Sequence, residues 1–475
     1  MKKVLLLIVI SILSISNSQA QQRVCGFDGA HKESLKQHPE LAKELEAQEL
    51  QLQKIIARRK RSRTTETVYK IPVVVHLIHA GTAVGVGTNL TDAVVQASID
   101  TLNRAFRNLH GQSLDTKIEF ELAKRDENCT STSGIIRIDG TSITDYATHG
   151  VHTDATATGA TDAQIKALSR WSNTDYYNIW VITEFDNNNG GFGIQGYAQL
   201  GPNPGTSDGT VIMANAFTGS AKTLIHEIGH ALSLRHTFEG DRDAGDNAQC
   251  PTGNQCGSGL GDCCGDTPPH QRSTSNCDPT GTNACDGGAT NANFAHNYLD
   301  YSSDACQYLF TSDQKARMRA SLEGVRASLL SSKALSSMPT FALTAASCTP
   351  TTSATGLGGG YAGIMNVQIE GILNKRTSNT QNDGGYVDNA SSCHSAAVLD
   401  LNTTYEFKTE VWANTHYVKA WIDYNNNGTF EAGELMFDKS IAAYGTDSVN
   451  FTTPGTATTG SYLRMRVLAD LSSAF

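Results

Sequence analysis

Three regimes of apolar and polar patterning run along the chain. Residues 4–15 form an apolar run, interrupted only by Ser11 and Ser14, behind Lys2 and Lys3, closing at Ser18, Gln19 and Ala20. A short apolar core between a basic start and small residues predicts a signal peptide over 1–20, too short to cross a membrane as a helix. Residues 21–62 are charged, with helical spacing over 33–57 and little core-forming content. From residue 63 onward the strand and helix periods alternate. Residues 69–78 are apolar and β-branched, the pattern of a buried central strand. Val94, Val95, Ile99, Leu102 and Phe106 recur at helical spacing over 91–109. Strands are predicted over 117–123, 177–182 and 209–213, a helix over 165–171, and a glycine-rich edge strand over 192–201. Such alternation predicts an α/β fold with helices packed on a twisted sheet.

The pattern changes after residue 237. Residues 238–295 are rich in Gly, Asp, Asn, Thr and Cys and poor in large apolar side chains, so they cannot bury a core of their own. Seven cysteines fall from Cys250 to Cys306, and Cys129 is the natural eighth of a disulfide set whose pairing stays open; otherwise one thiol is free. A helix is expected over 311–330 and a Ser/Thr/Ala/Pro-rich linker over 333–355. Residues 356–475 alternate apolar and polar positions between turn signals, which predicts a β-sandwich with room for a Cys348–Cys393 bridge.

Composition narrows the function. The chain has 475 residues, a net charge of −10 and no basic stripe, which speaks against nucleic acid as a partner. Eleven cysteines behind a signal peptide point to an oxidising, secreted setting.

The chemistry concentrates in His226-Glu227-Ile-Gly-His230 and His236. Residues four apart share a helix face, so His226 and His230 can reach one metal ion, while His236 requires the helix to end and the chain to turn back. Three imidazoles leave an open position on zinc, the catalytic rather than the structural pattern. Glu227 then stands beside the metal as a general base for a water attacking a peptide carbonyl.

Cys25 follows from the same logic. The cluster Arg58-Arg59-Lys60-Arg61-Ser62-Arg63 reads as a processing site that ends a propeptide over 21–62. A thiolate is a good zinc ligand, so Cys25 can fill the open position until that segment is removed. Calcium is expected twice. Asp241, Asp243, Asp246, Asp262, Asp266 and Thr267 offer hard oxygen ligands, and Asp423, Asn425, Asn427, Thr429 and Glu434 match the spacing of a calcium loop.

The zinc motif with its following Arg-His-Thr-Phe, the Gly261-Asp and Asp266-Thr-Pro pieces, Asn297-Tyr-Leu-Asp-Tyr301, Arg23-Val-Cys-Gly and the Ile-Pro-Val-Val-Val-His run occur in order. Together they resemble the metzincin zinc peptidases of the pappalysin-like family over residues 23–332. The resemblance implies a catalytic domain over 63–332: a twisted sheet, an active-site helix and a loop-rich, disulfide-bonded C-terminal subdomain. It implies zinc on His226, His230 and His236, Glu227 as base, Cys25 as latch, and Tyr301 beneath the metal, either contacting zinc or supporting the oxyanion. It also places Asp304 at the primed-side pocket, where a carboxylate would pair with an incoming Arg. Two positions depart from the family: Ser233 stands where Gly is usual, at a cost on the order of 1–3 kcal/mol, and Leu299 stands for the turn Met, a swap that usually costs less than about 1.5 kcal/mol. Residues 356–475 resemble the GEVED-type accessory domain, without its acidic closing motif, as in a truncated copy.

The expectation is a secreted zinc endopeptidase made as a latent zymogen, acting on protein or peptide substrates beside Arg or Lys, with an appended domain that binds substrate, glycan or a cell surface. Two alternatives stay open: a secreted binding or adhesion protein with a vestigial zinc site, and a zinc amidase acting on cell-wall peptides.

Overall fold

The computed structural model describes residues 23–471 apart from 38, 40, 62–65, 129, 154–156, 190, 192, 202–206, 219–221, 242–249, 252–260, 275, 337–342, 349–361, 370–372, 377–385 and 390–395. The expected signal peptide therefore lies outside the described residues, as do Cys129, Asp243, Asp246 and Cys393.

The chain opens with β1 (Arg23–Cys25), α1 (Phe27–Gln37) and α2 (Leu41–Arg61). The charged segment is thus two helices, with Pro39 at the break, where a single helical stretch was expected; proline disfavours helix in the residue before it and supplies no N–H. Next come β2 (Tyr69–His79), α3 (Asp92–Phe106), β3 (Ile118–Leu122), β4 (Ile135–Asp139), α4 (Tyr146–His149), α5 (Asp162–Ala167), β5 (Tyr177–Ile182), β6 (Gly193–Ala198) and β7 (Thr210–Met213). They lead into α6 (Ala214–Phe217) and α7 (Thr223–Ala231), the helix that carries the His-Glu motif.

One seven-stranded sheet runs β1-β6-β7-β5-β2-β3, with β4 also pairing β2. All these pairs are parallel except β6 with β7. β1 lies along the side of β6 away from β7, with Cys25 opposite Gly196. The sheet is covered because its strands are apolar on both faces: Val73, Val74, Val75, Leu77, Ile179, Trp180, Val181, Val211 and Ile212 are fully buried. α3 is capped by Thr91, whose hydroxyl accepts from the Val94 N–H, and packs Val95, Ile99, Leu102 and Phe106 inward. α7 has no polar face to spare, since Leu224 through Ala231 are all buried.

Beyond α7 the chain is irregular until α8 (Ala292–Ala295), α9 (Ser312–Glu323) and α10 (Ala327–Ser331). The helix expected over 311–330 is split at Gly324. Disulfides Cys250–Cys285 and Cys277–Cys306 staple the irregular region. Cys263 is disulfide-bonded, but Cys264 is a buried free thiol, so the seven cysteines with Cys129 do not all pair. The next strands are β8 (Ile364–Ile369), β9 (Leu373–Arg376), β10 (Thr404–Val411), β11 (His416–Ile422), β12 (Leu435–Ile441), β13 (Thr446–Thr452) and β14 (Met465–Asp470). They form antiparallel sheets β13-β10-β8-β9 and β12-β11-β14. Val367, Phe407, Val418, Phe437 and Phe451 fill the core of this second unit. Cys348 carries a free, exposed thiol, which corrects the expected Cys348–Cys393 bridge. Part of the expected linker belongs to this unit, because Leu343 bridges to Tyr462 and the Ser347 N–H donates to Gly428 O at 2.7 Å.

Arg326, just before α10, ties the end of α7 to the loop after β6. It donates to Ala231 O at 2.8 Å and Gly201 O at 2.9 Å and grips Asp208 at 2.8 and 2.9 Å, both side chains buried. Removing one partner leaves a buried charge unpaired. In a Glu227→Ala background, which removes the proposed base, Arg326→Leu should cost about 3–5 kcal/mol in denaturant unfolding. The double change with Asp208→Leu should recover most of that loss. Equal losses in the single and double variants would contradict the buried-pair assignment.

Candidate metal centre

α7 ends where the sequence requires it. Leu234 N–H reaches back to Gly229 O at 3.0 Å and Ser233 N–H to His230 O at 2.9 Å, with Ser233 at φ +72°. This left-handed cap is usually glycine. Here Ser233 is held on both sides: its hydroxyl donates to Ser321 Oγ at 3.0 Å, and its carbonyl accepts from Arg317 Nε at 2.6 Å. The turn swings His236 back over the helix.

The three imidazoles converge. His226 Nδ1 donates to Tyr298 O at 2.7 Å and His230 Nδ1 to Leu234 O at 2.9 Å, which leaves each Nε2 as a bare lone pair. His230 Nε2 lies 3.1 Å from His226 Nε2 and 3.2 Å from His236 Nε2. Lone pairs facing one another at that distance repel unless a cation sits between them. A tetrahedral zinc with Zn–N bonds of about 2.0–2.1 Å needs N···N edges of about 3.3 Å. These donors therefore fit zinc in both chemistry and spacing. Cys25 completes the set: its sulfur and the three His nitrogens lie within 4.8 Å of one another.

The surroundings press on these groups. Burial first, then the charge of His236, lowers His226 to about 3, and burial pushes His230 well down. Burial also raises Glu227 to about 8, and neither carboxylate oxygen has a well-aligned hydrogen bond. Burial, then Glu227, pushes the Cys25 thiol well up. His236 goes the other way: burial alone would lower it, but Asp28, with Oδ1 3.1 Å from Nδ1, holds it above its ordinary value. The geometry of that contact falls short of an aligned hydrogen bond, and Glu239 lies 3.7 Å from the same nitrogen.

The turn beneath the site is built from below. Asn297 Oδ1 accepts from Leu299 N–H at 2.9 Å, and Asn297 exchanges amide hydrogen bonds with Gln314, the residue that closes the capping box of α9. Leu299 is fully buried with Cδ2 only 3.0 Å from where a Cβ on Gly229 would sit, so glycine in the zinc helix is what lets the turn approach. The Tyr301 ring lies 5.0 Å from that of His236 and 5.9 Å from that of His226, and its hydroxyl lies 3.5 Å from Cys25 O.

The other expected residues scatter. Asp262 and Thr267 are buried in the loop below the site, each with an unsatisfied oxygen, while Asp266 is exposed and accepts from Asp313 N–H at 2.9 Å. Asp241 is taken by Arg272 in a two-pronged ion pair, so it is not the open oxygen ligand expected. Asp304 is half-buried just past the turn. In the C-terminal unit Asp423 accepts from Asn427 N–H at 3.0 Å and Gly428 N–H at 2.8 Å, and Glu434 accepts from Asn425 N–H at 3.3 Å. Asn427 Oδ1 accepts from Thr429 N–H at 2.7 Å, so the five residues form one loop.

Sequence reasoning missed four contributors. Phe27 stacks on His230 at 4.1 Å, Asp28 and Glu239 face His236, and Arg272 lies over Phe238 at 4.7 Å. Phe27 and Asp28 stand two and three residues after Cys25, the one signal that was available.

Comparison with known proteins agrees with this site. Residues 159–323 match the family model described as pregnancy-associated plasma protein-A, a peptidase family, and residues 417–475 match the GEVED domain. Extracellular metalloprotease 1 of Coccidioides posadasii is 32% identical over 206 residues, which cover 38% of this chain and 66% of that protein, just under two thirds of its length. A promirolysin mutant from Tannerella forsythia is 26% identical, with a TM-score of 0.47, covering 65% of this chain and 97% of that one. Mature mirolysin in complex with a cleaved peptide is 28% identical, with a TM-score of 0.43, covering 58% and 100%. Residues 159–323 are thus similar to the pappalysin-like peptidases, and residues 417–475 to the GEVED domain.

Proposed function

We propose that the chain is a secreted zinc-dependent endopeptidase made in latent form. The observation that carries this reading is the convergence of His226, His230 and His236 Nε2, with His230 Nε2 3.1 and 3.2 Å from the other two, beside a buried carboxylate. The relatives' extracellular metalloprotease names support secretion and peptide substrates, and among the described residues no helix is long and apolar enough to cross a membrane.

Zinc bound there supplies Lewis acidity, polarising a carbonyl and making bound water acidic. The residues do the rest. His226, His230 and His236 would hold the ion, with Nδ1 contacts that keep Nε2 of His226 and His230 facing inward. Glu227 holds the proton taken from the attacking water and passes it to the departing amine. Its position in a dry site favours the neutral form until a cation is bound beside it. Tyr301 reaches the same space from below and supports the oxyanion. Asp304 is proposed to favour a basic side chain on the primed side.

In the latent form Cys25 takes the open position, and β1 occupies the free side of β6, where an extended substrate would pair. Cys25→Ser should therefore shorten the lag before the protein digests casein, while Glu227→Ala should lower turnover on the order of 10³–10⁴-fold. Both variants should still bind one zinc per chain, read by metal analysis after dialysis. A Glu227→Ala protein that trims itself and digests casein at the wild-type rate would sink the proposed role.

Calcium is proposed at Asp262, Asp266 and Thr267 and, from spacing, at Asp423, Asn425, Asn427, Thr429 and Glu434. Burial raises Asp262 from its ordinary value to about 7. The folded state therefore binds this proton more tightly than the unfolded chain. The stability that proton confers is complete below about pH 4 and is lost as the pH rises through about 7. Above that the carboxylate must ionise in a dry site, and a divalent cation gains most. Calcium should raise the melting temperature more at pH 8 than at pH 5, and Asp262→Asn should abolish the difference. An unchanged calcium shift in that variant would remove Asp262 from the ligand set.

A further inference from the structure

The N-terminal segment meets the catalytic domain in two separate places. Its start lies in the metal centre through Cys25, Phe27 and Asp28. Its second helix, α2, lies along α9. There the Glu49 carboxylate is gripped by both Arg317 Nη atoms, Nη1 to Oε1 at 2.9 Å and Nη2 to Oε2, with the Arg317 side chain only 2% exposed. The third arm of the same guanidinium, Nε, holds Ser233 O in the turn that follows the zinc helix. Leu52 and Ile55 are buried in one cluster with Ala320. Ile55 Cδ1 comes within 2.8 Å of where a Cβ on Gly324 would sit, so the bend between α9 and α10 is shaped to receive it. At the end of α2, Arg59 pairs with Glu323 and with Glu66.

Glu49, Leu52, Ile55 and Arg59 all precede the expected cut at Ser62–Arg63. Hydrolysis there breaks one peptide bond and none of these contacts. Two anchors on one chain act as a bivalent ligand, so either can rebind before the other lets go.

We propose that α2 is a docking element in its own right, and that the cut segment 21–62 stays seated on α9 as a noncovalent inhibitor, held by Glu49 on Arg317 and by Leu52 and Ile55 beside Gly324. Activity then follows loss or further digestion of that fragment and not the first cut. The inference rests on the latent-peptidase reading for its meaning, but its test does not need activity.

A recognition sequence for a site-specific protease is inserted between Ser62 and Arg63 in the Glu227→Ala chain. The protein is cut with that protease after folding and run on gel filtration at micromolar concentration, and each peak is identified by mass spectrometry. The fragment should co-elute with the remainder of the chain. It should still co-elute in a further Cys25→Ala variant. Glu49→Ala should weaken retention on the order of a hundredfold, so that the fragment elutes alone. Thermal melts before cutting show that each variant is folded, and Glu49→Gln, of equal size, replaces Glu49→Ala if the latter is not. Immediate separation of the fragment from the otherwise unaltered Glu227→Ala chain would overturn the proposal. So would release by Cys25→Ala together with full retention in the Glu49 variant, since the metal latch alone would then hold the segment. Because every arm uses the Glu227→Ala background, these outcomes are read independently of whether the wild type proves to be a peptidase.

Discussion

Three imidazole nitrogens converge, with His230 Nε2 3.1 Å from His226 Nε2 and 3.2 Å from His236 Nε2, and the surrounding structure is arranged to hold them there. Such a cluster is repulsive until a cation enters, so the fold must supply the restraint. Two Nδ1 contacts, to Tyr298 O and Leu234 O, fix which nitrogen faces inward. Those carbonyls lie in irregular backbone, and each is fixed from outside. Tyr298 stands in a turn clamped by Asn297 against the capped start of α9, and Leu234 in the left-handed exit of α7. The apolar core beneath β5, β7 and α7 gives this arrangement its stiffness, since interiors at crystal-like density do not yield to small displacements.

The N-terminal segment exploits the same constraint. It brings a thiol to the one open side of the cluster, an aromatic ring against His230 and a carboxylate against His236. Desolvation is what makes these contacts matter: in a dry site both the Cys25 thiol and the Glu227 carboxyl resist ionisation, and a bound cation is the natural means of reversing that. The segment also borrows the sheet. β1 extends β6 in parallel, so the free strand edge and the metal are covered by adjacent residues of one chain.

Much of this was legible in the sequence where one residue type at one spacing has one physical meaning. The apolar strands over 69–79 and 177–182 and the amphipathic helix over 92–106 follow from period alone. The metal set follows from His spacing, and the need for a turn before His236 from helix geometry. Contacts between residues distant in sequence were not legible. Nothing in the sequence links Glu49 to Arg317 across 268 positions, or pairs Asp241 with Arg272 in place of a cation. The break in the N-terminal helix was signalled by Pro39 and passed over, because overall charge concealed that Leu52 and Ile55 are buried. The cysteine count could only leave open whether one thiol of the set stays free, because a count does not say which thiols are buried apart, and Cys264 is.

Ser233 shows how a locally unfavourable residue can persist. At φ +72° a side chain is strained, on the order of 1–3 kcal/mol. The hydroxyl that glycine would lack is bonded to Ser321, so part of that cost is returned by a buried hydrogen bond, while the backbone carbonyl is bonded to Arg317 as any residue's would be. The second bond has a wider consequence. Arg317 is also the residue on which Glu49 docks, so one guanidinium reads both the turn that sets His236 and the presence of the N-terminal segment. Leu299 sits on the other side of the same helix against Gly229, close enough that its packing leaves no room for a Cβ there. Both departures from the family pattern thus fall where a neighbouring residue of this chain compensates, and His226, His230 and His236 still converge beside Glu227.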